Sequence, residues 1–133
     1  MGRKIIHYLL DTNVLVRYLV RDEEQQYQQV VDWLKDAENG KIKIIIPTIV
    51  VAETCFVLES FYKKQRDEIS DSMVVFLSQR WIKVAERNAL LSLWKDYKAG
   101  LHFVDSFLRA FSRQNSYGIL SFDKKLLRMN SEE

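Results

Sequence analysis

Residues 5–13 read IIHYLLDTN, and this stretch decides the fold that we predict for the chain. Residues 5–10 form a short apolar run without proline or glycine, which is typical of a buried strand. Asp11, Thr12 and Asn13 are residue types that favour the start of a helix, and the apolar segment VLVRYLV follows them. A buried strand that passes directly into a helix indicates an α/β fold.

The remainder of the chain continues this alternation of strands and helices. We predict further strands at residues 42–46, 81–84 and 117–120. Helices are predicted over residues 23–37, 47–62, 67–80, 86–98 and 102–115, and a short one after Asp123. Alternating elements favour parallel pairing, and continuous apolar strands favour helices on both faces of the sheet. We therefore predict a three-layer α/β/α sandwich with a central parallel sheet, built as a single domain over residues 1–133.

Composition narrows the classes of function. The 20 basic and 18 acidic side chains nearly balance, which excludes a uniformly basic nucleic-acid-binding surface. A single cysteine excludes a disulfide framework and a cysteine-built zinc site, and it fits a reducing compartment, so we expect a cytoplasmic protein. The apolar runs are too short for a signal peptide or a membrane span. The sequence also lacks the glycine-rich GxxxxGK[ST] loop that binds nucleotide phosphates.

Four acidic residues occupy positions where simple surface charges are not expected. Asp11 and Asp123 follow predicted strands, whereas Glu53 and Asp105 lie near the starts of helices in apolar surroundings. In a parallel sheet these positions converge at the carboxyl edge, where ligands bind. Four neighbouring carboxylates would repel one another, and a divalent cation would remove that conflict. Oxygen-only ligands suit Mg²⁺ or Mn²⁺, so we predict such a metal site.

Each acid also has a purely structural interpretation. Asp11 and Asp123 could serve only as helix N-caps. Glu53 could occupy an exposed position on one helix face or form a buried ion pair. Asp105 could pair with Arg109 four residues later, a contact worth only a few tenths of a kcal/mol. Position by position, these alternatives stay open.

Four segments resemble the PIN-domain nucleases: LLDTNVLVRYL, PTIVVAE, FVDSFLRA and LSFDKKL, in this order. Small VapC-type toxin ribonucleases are the most similar members in length and motif order. The resemblance implies a parallel sheet, an acidic pocket that binds Mg²⁺ or Mn²⁺, and hydrolysis of phosphodiester bonds in RNA. It also implies that Asp11 and Asp105 are the most direct metal ligands, with Glu53 and Asp123 completing the pocket.

Other residues near the acids receive supporting roles. Thr12 and Asn13 match the polar residues that follow the first Asp in the family. Ser121 matches a small hydroxyl residue two positions before the last Asp, where it can hydrogen-bond a carboxylate or a water molecule. Basic residues follow the acids along the chain, and the predicted RNA contacts among them are Arg17, Arg109 and Lys124. The alternative interpretation is that these basic side chains simply lie on solvent-exposed helix faces.

Several conspicuous side chains are interpreted as structural. His7 lies within the first predicted strand, and Cys55 is expected to be a small buried hydrophobe. Trp33, Trp81 and Trp94 are expected in the core rather than as platforms on which bases stack.

The expected partners are RNA, an antitoxin protein and a second copy of the chain, with no membrane contact. The antitoxin and the second copy are expected from the resemblance and from the surplus of large apolar residues over positions 50–62. A housekeeping RNA-processing nuclease and a catalytically inactive PIN-like binding module are the alternatives. Acids at strand ends also occur in receiver domains and phosphatases, but Asn13 departs from the Asp-x-Asp phosphatase pattern and Asp11 lacks the adjacent acid of a receiver.

Overall fold

A computed structural model describes residues 4–131, and the chain divides in it into two compact units, Met1–Ala85 and Glu86–Glu133. The described part of the first unit contains β1 (Ile6–Leu9), α1 (Thr12–Val20), α2 (Glu24–Glu38), β2 (Ile42–Ile46), α3 (Thr48–Ser60), α4 (Arg66–Leu77) and β3 (Ile82–Val84). That of the second contains α5 (Arg87–Ser92), α6 (Trp94–Lys98), α7 (Phe103–Asn115) and α8 (Lys124–Ser131). Over residues 4–131, every helix falls short of the length and apolar content that a membrane crossing demands.

The first unit is organised around a parallel sheet with the strand order β1-β2-β3. In its register Tyr8 lies opposite Ile44, and Ile44 lies opposite Ile82. Parallel neighbours need a long crossover, and here helices α1 and α2 provide the first crossover while α3 and α4 provide the second. The parallel sheet flanked by helices confirms the predicted mixed α/β class.

The period of two residues along each strand separates core from surface. Ile44 and Ile46 of β2 stand in register with Ile82 and Val84 of β3, and all four are buried. The intervening Lys83 is exposed. Branched aliphatic side chains fit this pleated surface well, and helix α2 packs on β2 while α1 packs on α2 and α3. β1 lies at the edge of this sheet, and Ile6, Tyr8 and Leu9 are exposed, so the prediction that residues 5–10 form a buried strand is wrong except at Leu10.

Aromatic packing organises the second unit. Trp94 meets Tyr97 edge-on with ring centroids 5.4 Å apart and contacts Phe103 at 6.0 Å. Its indole Nε1 donates a hydrogen bond of 2.7 Å to the carbonyl of Leu90. Edge-to-face packing and a satisfied indole donor are favourable for buried aromatic residues. The core role predicted for Trp94 is therefore confirmed.

Two predicted elements of the second unit differ from the structure. The helix expected over residues 86–98 is divided at Leu93 into α5 and α6. The prediction of a strand at residues 117–120 is wrong, because this segment has no strand geometry. The Tyr117 backbone N–H donates to the carbonyl of Ser112 at 3.0 Å, and the Ser112 hydroxyl donates to the Tyr117 carbonyl. The backbone of Tyr117 is thus bonded to the end of α7.

Candidate active site

Asp11 lies where the sheet passes into the first helix. The backbone N–H of Leu10 still donates to the carbonyl of Ile45 at 2.9 Å, so the pairing with β2 continues up to this point. Asp11 then caps α1, and its Oδ1 accepts the N–H of Thr12 at 2.8 Å. Thr12 is buried, whereas Asp11 is exposed. The cap fixes one carboxylate oxygen in a residue that remains open to solvent.

Glu53 lies in the second turn of α3. It is exposed, which excludes the interpretation as a buried ion pair and agrees with a position on an exposed helix face. The residues three and four positions away, Phe56 and Ile49, share that face because a helix repeats every 3.6 residues. Both are also exposed. Glu53 therefore presents a carboxylate from an otherwise apolar helix surface.

Asp105 lies in the first turn of α7 and is half-buried. The helix begins after His102, whose carbonyl accepts both the backbone N–H and the hydroxyl of Ser106, at 2.8 and 2.9 Å. A carboxylate in the first turn interacts favourably with the positive end of the helix dipole. A negative charge at this position of α7 is therefore compatible with the helix.

Asp123 caps the last helix. Its Oδ1 accepts the N–H of Leu126 at 3.1 Å, and its own N–H donates to the hydroxyl oxygen of Ser121 at 3.0 Å. Ser121 thus holds the backbone of Asp123 rather than its carboxylate. Asp123 is exposed, so it resembles Asp11 in combining a cap with access to solvent.

The four carboxylates are distributed equally between the units. Asp11 and Glu53 belong to the first, and Asp105 and Asp123 belong to the second. Within the described part of either unit, no three His, Cys, Asp or Glu side chains form a group that could hold a metal ion. The ion pairs formed among residues 4–131 involve none of the four acids. An ion pair between each acid and a basic side chain would argue against metal binding. Within this part of the chain, none of the four acids forms such a pair.

Arg109 occupies a position that sequence reasoning misjudged. It is only 3% exposed, its Nη1 donates to Asp96 and its Nη2 donates to the carbonyl of Met129 at 3.2 Å. A guanidinium held in this way connects α6, α7 and α8 inside the second unit. The predicted contact between Arg109 and RNA is inconsistent with this burial, and we exclude Arg109 from the candidate RNA contacts.

The other two candidate cations are accessible. Arg17 is half-exposed on α1, where its Nε donates to Gln26 at 2.7 Å and its Nη1 donates to the hydroxyl of Tyr62 at 3.1 Å. The same Nη1 forms an ion pair with Asp22 at 3.5 Å. Lys124 is the exposed first residue of α8. Asn13, next to the capping Asp11, is also exposed.

The tryptophans divide in a way that the sequence analysis missed. Trp33 is 40% exposed and Trp94 is buried, so the prediction that Trp33 belongs to the core is wrong. Its helix buries Val30, Leu34 and Ala37, and Trp33 lies beside this stripe rather than within it. Trp33 lies three residues after Val30 and four before Ala37, so helical spacing alone predicts it on the buried face and could not have shown its exposure.

Comparison with known proteins assigns the chain to a family. A family model described as the PIN domain matches residues 8–132, a range that includes all four acids and reaches through both units. No curated protein and no solved structure matched the chain. PIN domains are generally nucleases, which hydrolyse phosphodiester bonds. On the strength of this match over nearly its entire length, the chain belongs to the PIN domain family.

Proposed function

We propose that this protein is a divalent-metal-dependent endoribonuclease. The observation that carries the proposal is the PIN match over residues 8–132, within which Asp11, Glu53, Asp105 and Asp123 all lie. The ion pairs among the described residues use none of these carboxylates. Their negative charge is thus available for a divalent cation, which in turn can bind a phosphodiester.

The donor set fits Mg²⁺ or Mn²⁺, because it consists of carboxylate oxygens, the ligands that hard cations prefer. Asp11, Glu53 and Asp123 are exposed and Asp105 is half-buried, so a hydrated ion can reach each of them. We assign all four to metal binding, with Asp11 and Asp105 as the most direct ligands. When bound, the ion supplies positive charge to the phosphate and lowers the pKa of a coordinated water molecule.

The neighbouring groups orient these carboxylates. The Thr12 N–H restrains the Asp11 carboxylate at 2.8 Å, and the Leu126 N–H restrains the Asp123 carboxylate at 3.1 Å, while Ser121 accepts the backbone N–H of Asp123 at 3.0 Å. Asp123 or Glu53 then orients or deprotonates the attacking water. In-line attack leaves a 5′-phosphate and a 3′-hydroxyl. Fixed carboxylates lose little conformational freedom during the reaction, which is how positioning contributes to rate.

Two cations are proposed to contact the RNA backbone. Arg17 is held by Gln26, Tyr62 and the Asp22 carboxylate, so its guanidinium is already ordered before substrate binds, and an RNA phosphate would compete with Asp22 for it. Lys124 stands one residue after Asp123, on the exposed start of α8. Contacts of this kind release counterions from RNA, so affinity falls as salt concentration rises.

The biological role that we propose is that of a toxin ribonuclease in a toxin–antitoxin pair, acting in the cytoplasm as a homodimer. The order of the four motifs in a chain of 133 residues supports this role. The exposed Ile49 and Phe56 on α3 supply an apolar surface on which a second copy can pack. An antitoxin protein is the corresponding inhibitory partner.

The decisive test substitutes Asp11→Asn and Asp105→Asn and measures cleavage of a labelled RNA with Mn²⁺ or Mg²⁺. We expect each variant to lose at least about 100-fold in rate, as when an electrostatic catalytic element is removed. Asn at position 11 can still accept the Thr12 N–H, so the fold is retained, and relief of repulsion could stabilise the metal-free protein slightly. Asp71→Asn on the exposed surface of α4 serves as the matched control.

Three results would contradict the proposal. Wild-type turnover in Asp11→Asn or Asp105→Asn would exclude these residues from the site. Equal RNA survival with Mn²⁺ and with chelator would favour a catalytically inactive binding module. Normal growth of cells that express the active protein would count against the toxin role and favour a housekeeping nuclease.

A further inference from the structure

Trp33 presents an aromatic surface to solvent that the proposed chemistry does not use. Its side chain is 40% exposed on α2, next to a buried stripe that contains Val30 and Leu34. A large indole gains free energy when it is covered. A ligand that covers the face of this indole would therefore gain binding free energy.

Trp33 borders a hollow of about 300 Å³ between α1 and α2. The amides of Asn13, Gln26 and Gln29 line the same hollow, together with the Arg17 guanidinium. The Gln26 carbonyl already accepts from Arg17 at 2.7 Å, which fixes both side chains at the wall. The lining is otherwise uncharged and offers donors and acceptors from amide groups.

A second hollow of about 380 Å³ shares Trp33 and Val14 with the first. Its lining includes the carboxylates of Asp11 and Asp36, together with Tyr8 and Ile44. The two hollows thus meet at Trp33, with amides on one side and the end of β1 on the other. Trp33 and Asp11 thus line one hollow within the same unit.

We propose that Trp33 and the amides of Asn13, Gln26 and Gln29 form a subsite for one unstacked nucleobase of single-stranded RNA. Every base has a π-face that can stack on an aromatic side chain, and its edges pair with amide donors and acceptors. A lining of amides and an indole suits a neutral base better than a phosphate. The catalytic role of Asp11 beside this subsite rests on the proposed function, whereas the stacking of a base on Trp33 does not.

The test measures RNA binding without cleavage. The probe is a short, unstructured oligoribonucleotide labelled with fluorescein, titrated by fluorescence anisotropy at low salt with chelator present. Stacking on one aromatic side chain predicts that Trp33→Ala weakens binding about 5- to 100-fold. Trp33→Phe keeps a stacking face and should stay within about threefold of wild type. Val75→Ala, at an exposed position on α4, should leave the affinity unchanged.

Intrinsic fluorescence provides a second readout that needs no truncated side chain. Unlabelled RNA should quench the emission of the wild type and of Trp81→Phe, but it should hardly affect Trp33→Phe. If Trp33→Ala does not fold, this comparison decides. Full quenching in Trp33→Phe, or unchanged affinity in a folded Trp33→Ala, would overturn the proposal.

The two proposals fail separately. RNA affinity that is unchanged in Trp33→Ala, with normal metal-dependent cleavage, would overturn the subsite alone. RNA binding that depends on Trp33 in a protein that cleaves no RNA with either metal would overturn the nuclease and leave the subsite in place.

Discussion

Asp11 and Asp123 each accept a backbone N–H at a helix start while remaining exposed. The structural and functional interpretations of these residues are therefore compatible, because a carboxylate has two oxygens and a cap occupies one of them. At this scale the effect of a substitution depends on which property it removes. Asparagine keeps the cap and removes the charge, whereas alanine removes both.

This difference predicts how stability will respond at position 11. Asp11→Ala should lower the free energy of unfolding by about 1 kcal/mol relative to Asp11→Asn, because only asparagine replaces the lost cap. Urea denaturation of the metal-free variants measures this difference, while cleavage should be impaired in both. Equal midpoints for the two variants would show that the cap to Thr12 contributes nothing measurable.

Tyr18 predicts an alkaline effect on stability. Burial, and to a smaller extent the neighbouring Tyr27, raise the pKa of the Tyr18 phenol. Tyr18 stacks on Tyr27 with ring centroids 5.6 Å apart. The Tyr18 phenol therefore ionises at a higher pH in the folded protein than in the unfolded chain. Its contribution to stability is complete below the unfolded pKa and is lost as the pH rises through the folded pKa.

Tyr18→Phe should therefore lose less stability than the wild type between neutral and strongly alkaline pH. Thermal unfolding across that range measures the effect, and ultraviolet titration should lose a late-ionising phenol. Tyr117→Phe, at an exposed position in the second unit, is the control. Parallel alkaline curves for Tyr18→Phe and wild type would contradict the assignment.

At the scale of elements, the pair of Arg109 and Asp96 joins α7 to α6. Removal of one partner leaves a buried charge, so Asp96→Leu should cost about 3–5 kcal/mol. The double variant Asp96→Leu/Arg109→Met removes both charges and should recover much of that loss. Urea denaturation measures both variants. A double variant less stable than Asp96→Leu would show that packing, rather than the uncompensated charge, dominates.

The elements also show what the sequence can predict. Residues 42–46 were predicted as a strand with the bounds that β2 has, because an apolar β-branched run between polar turns has few alternatives. Residues 117–120 are also largely apolar but contain a glycine and a single β-branched residue, and the backbone of Tyr117 bonds to the end of α7 instead. Composition indicates that a segment can form a strand, but whether it does so depends on a partner strand elsewhere in the fold.

The candidate site shows the same limit. The positions of Asp11, Asp105 and Asp123 at helix starts were predictable from capping preferences and neighbouring sequence. The burial of Arg109 could not be predicted from its own helix, because its partner Asp96 lies on another element. The assignment of the four acids to one metal stays a prediction, since it concerns distances between segments far apart in sequence.

At the scale of the whole molecule, the apolar face of α3 predicts self-association. Ile49 and Phe56 are 74% and 68% exposed on the same side of the helix as Glu53. Symmetric dimers commonly pair such a patch with its own copy. Phe56→Glu should therefore convert a dimer into a monomer of 15.8 kDa in analytical ultracentrifugation. Val75→Glu on α4 is the control, and an unchanged mass for Phe56→Glu would place any dimer contact elsewhere.

The single cysteine, Cys55, is 1% exposed on the inner side of α3. A thiol in this position is shielded from maleimides and other alkylating dyes while the helix stays packed. The rate at which such a dye modifies the native chain therefore reports how often this part of the core opens. A cysteine introduced at any surface position would react selectively, so the protein accepts a spectroscopic probe without prior removal of its own thiol.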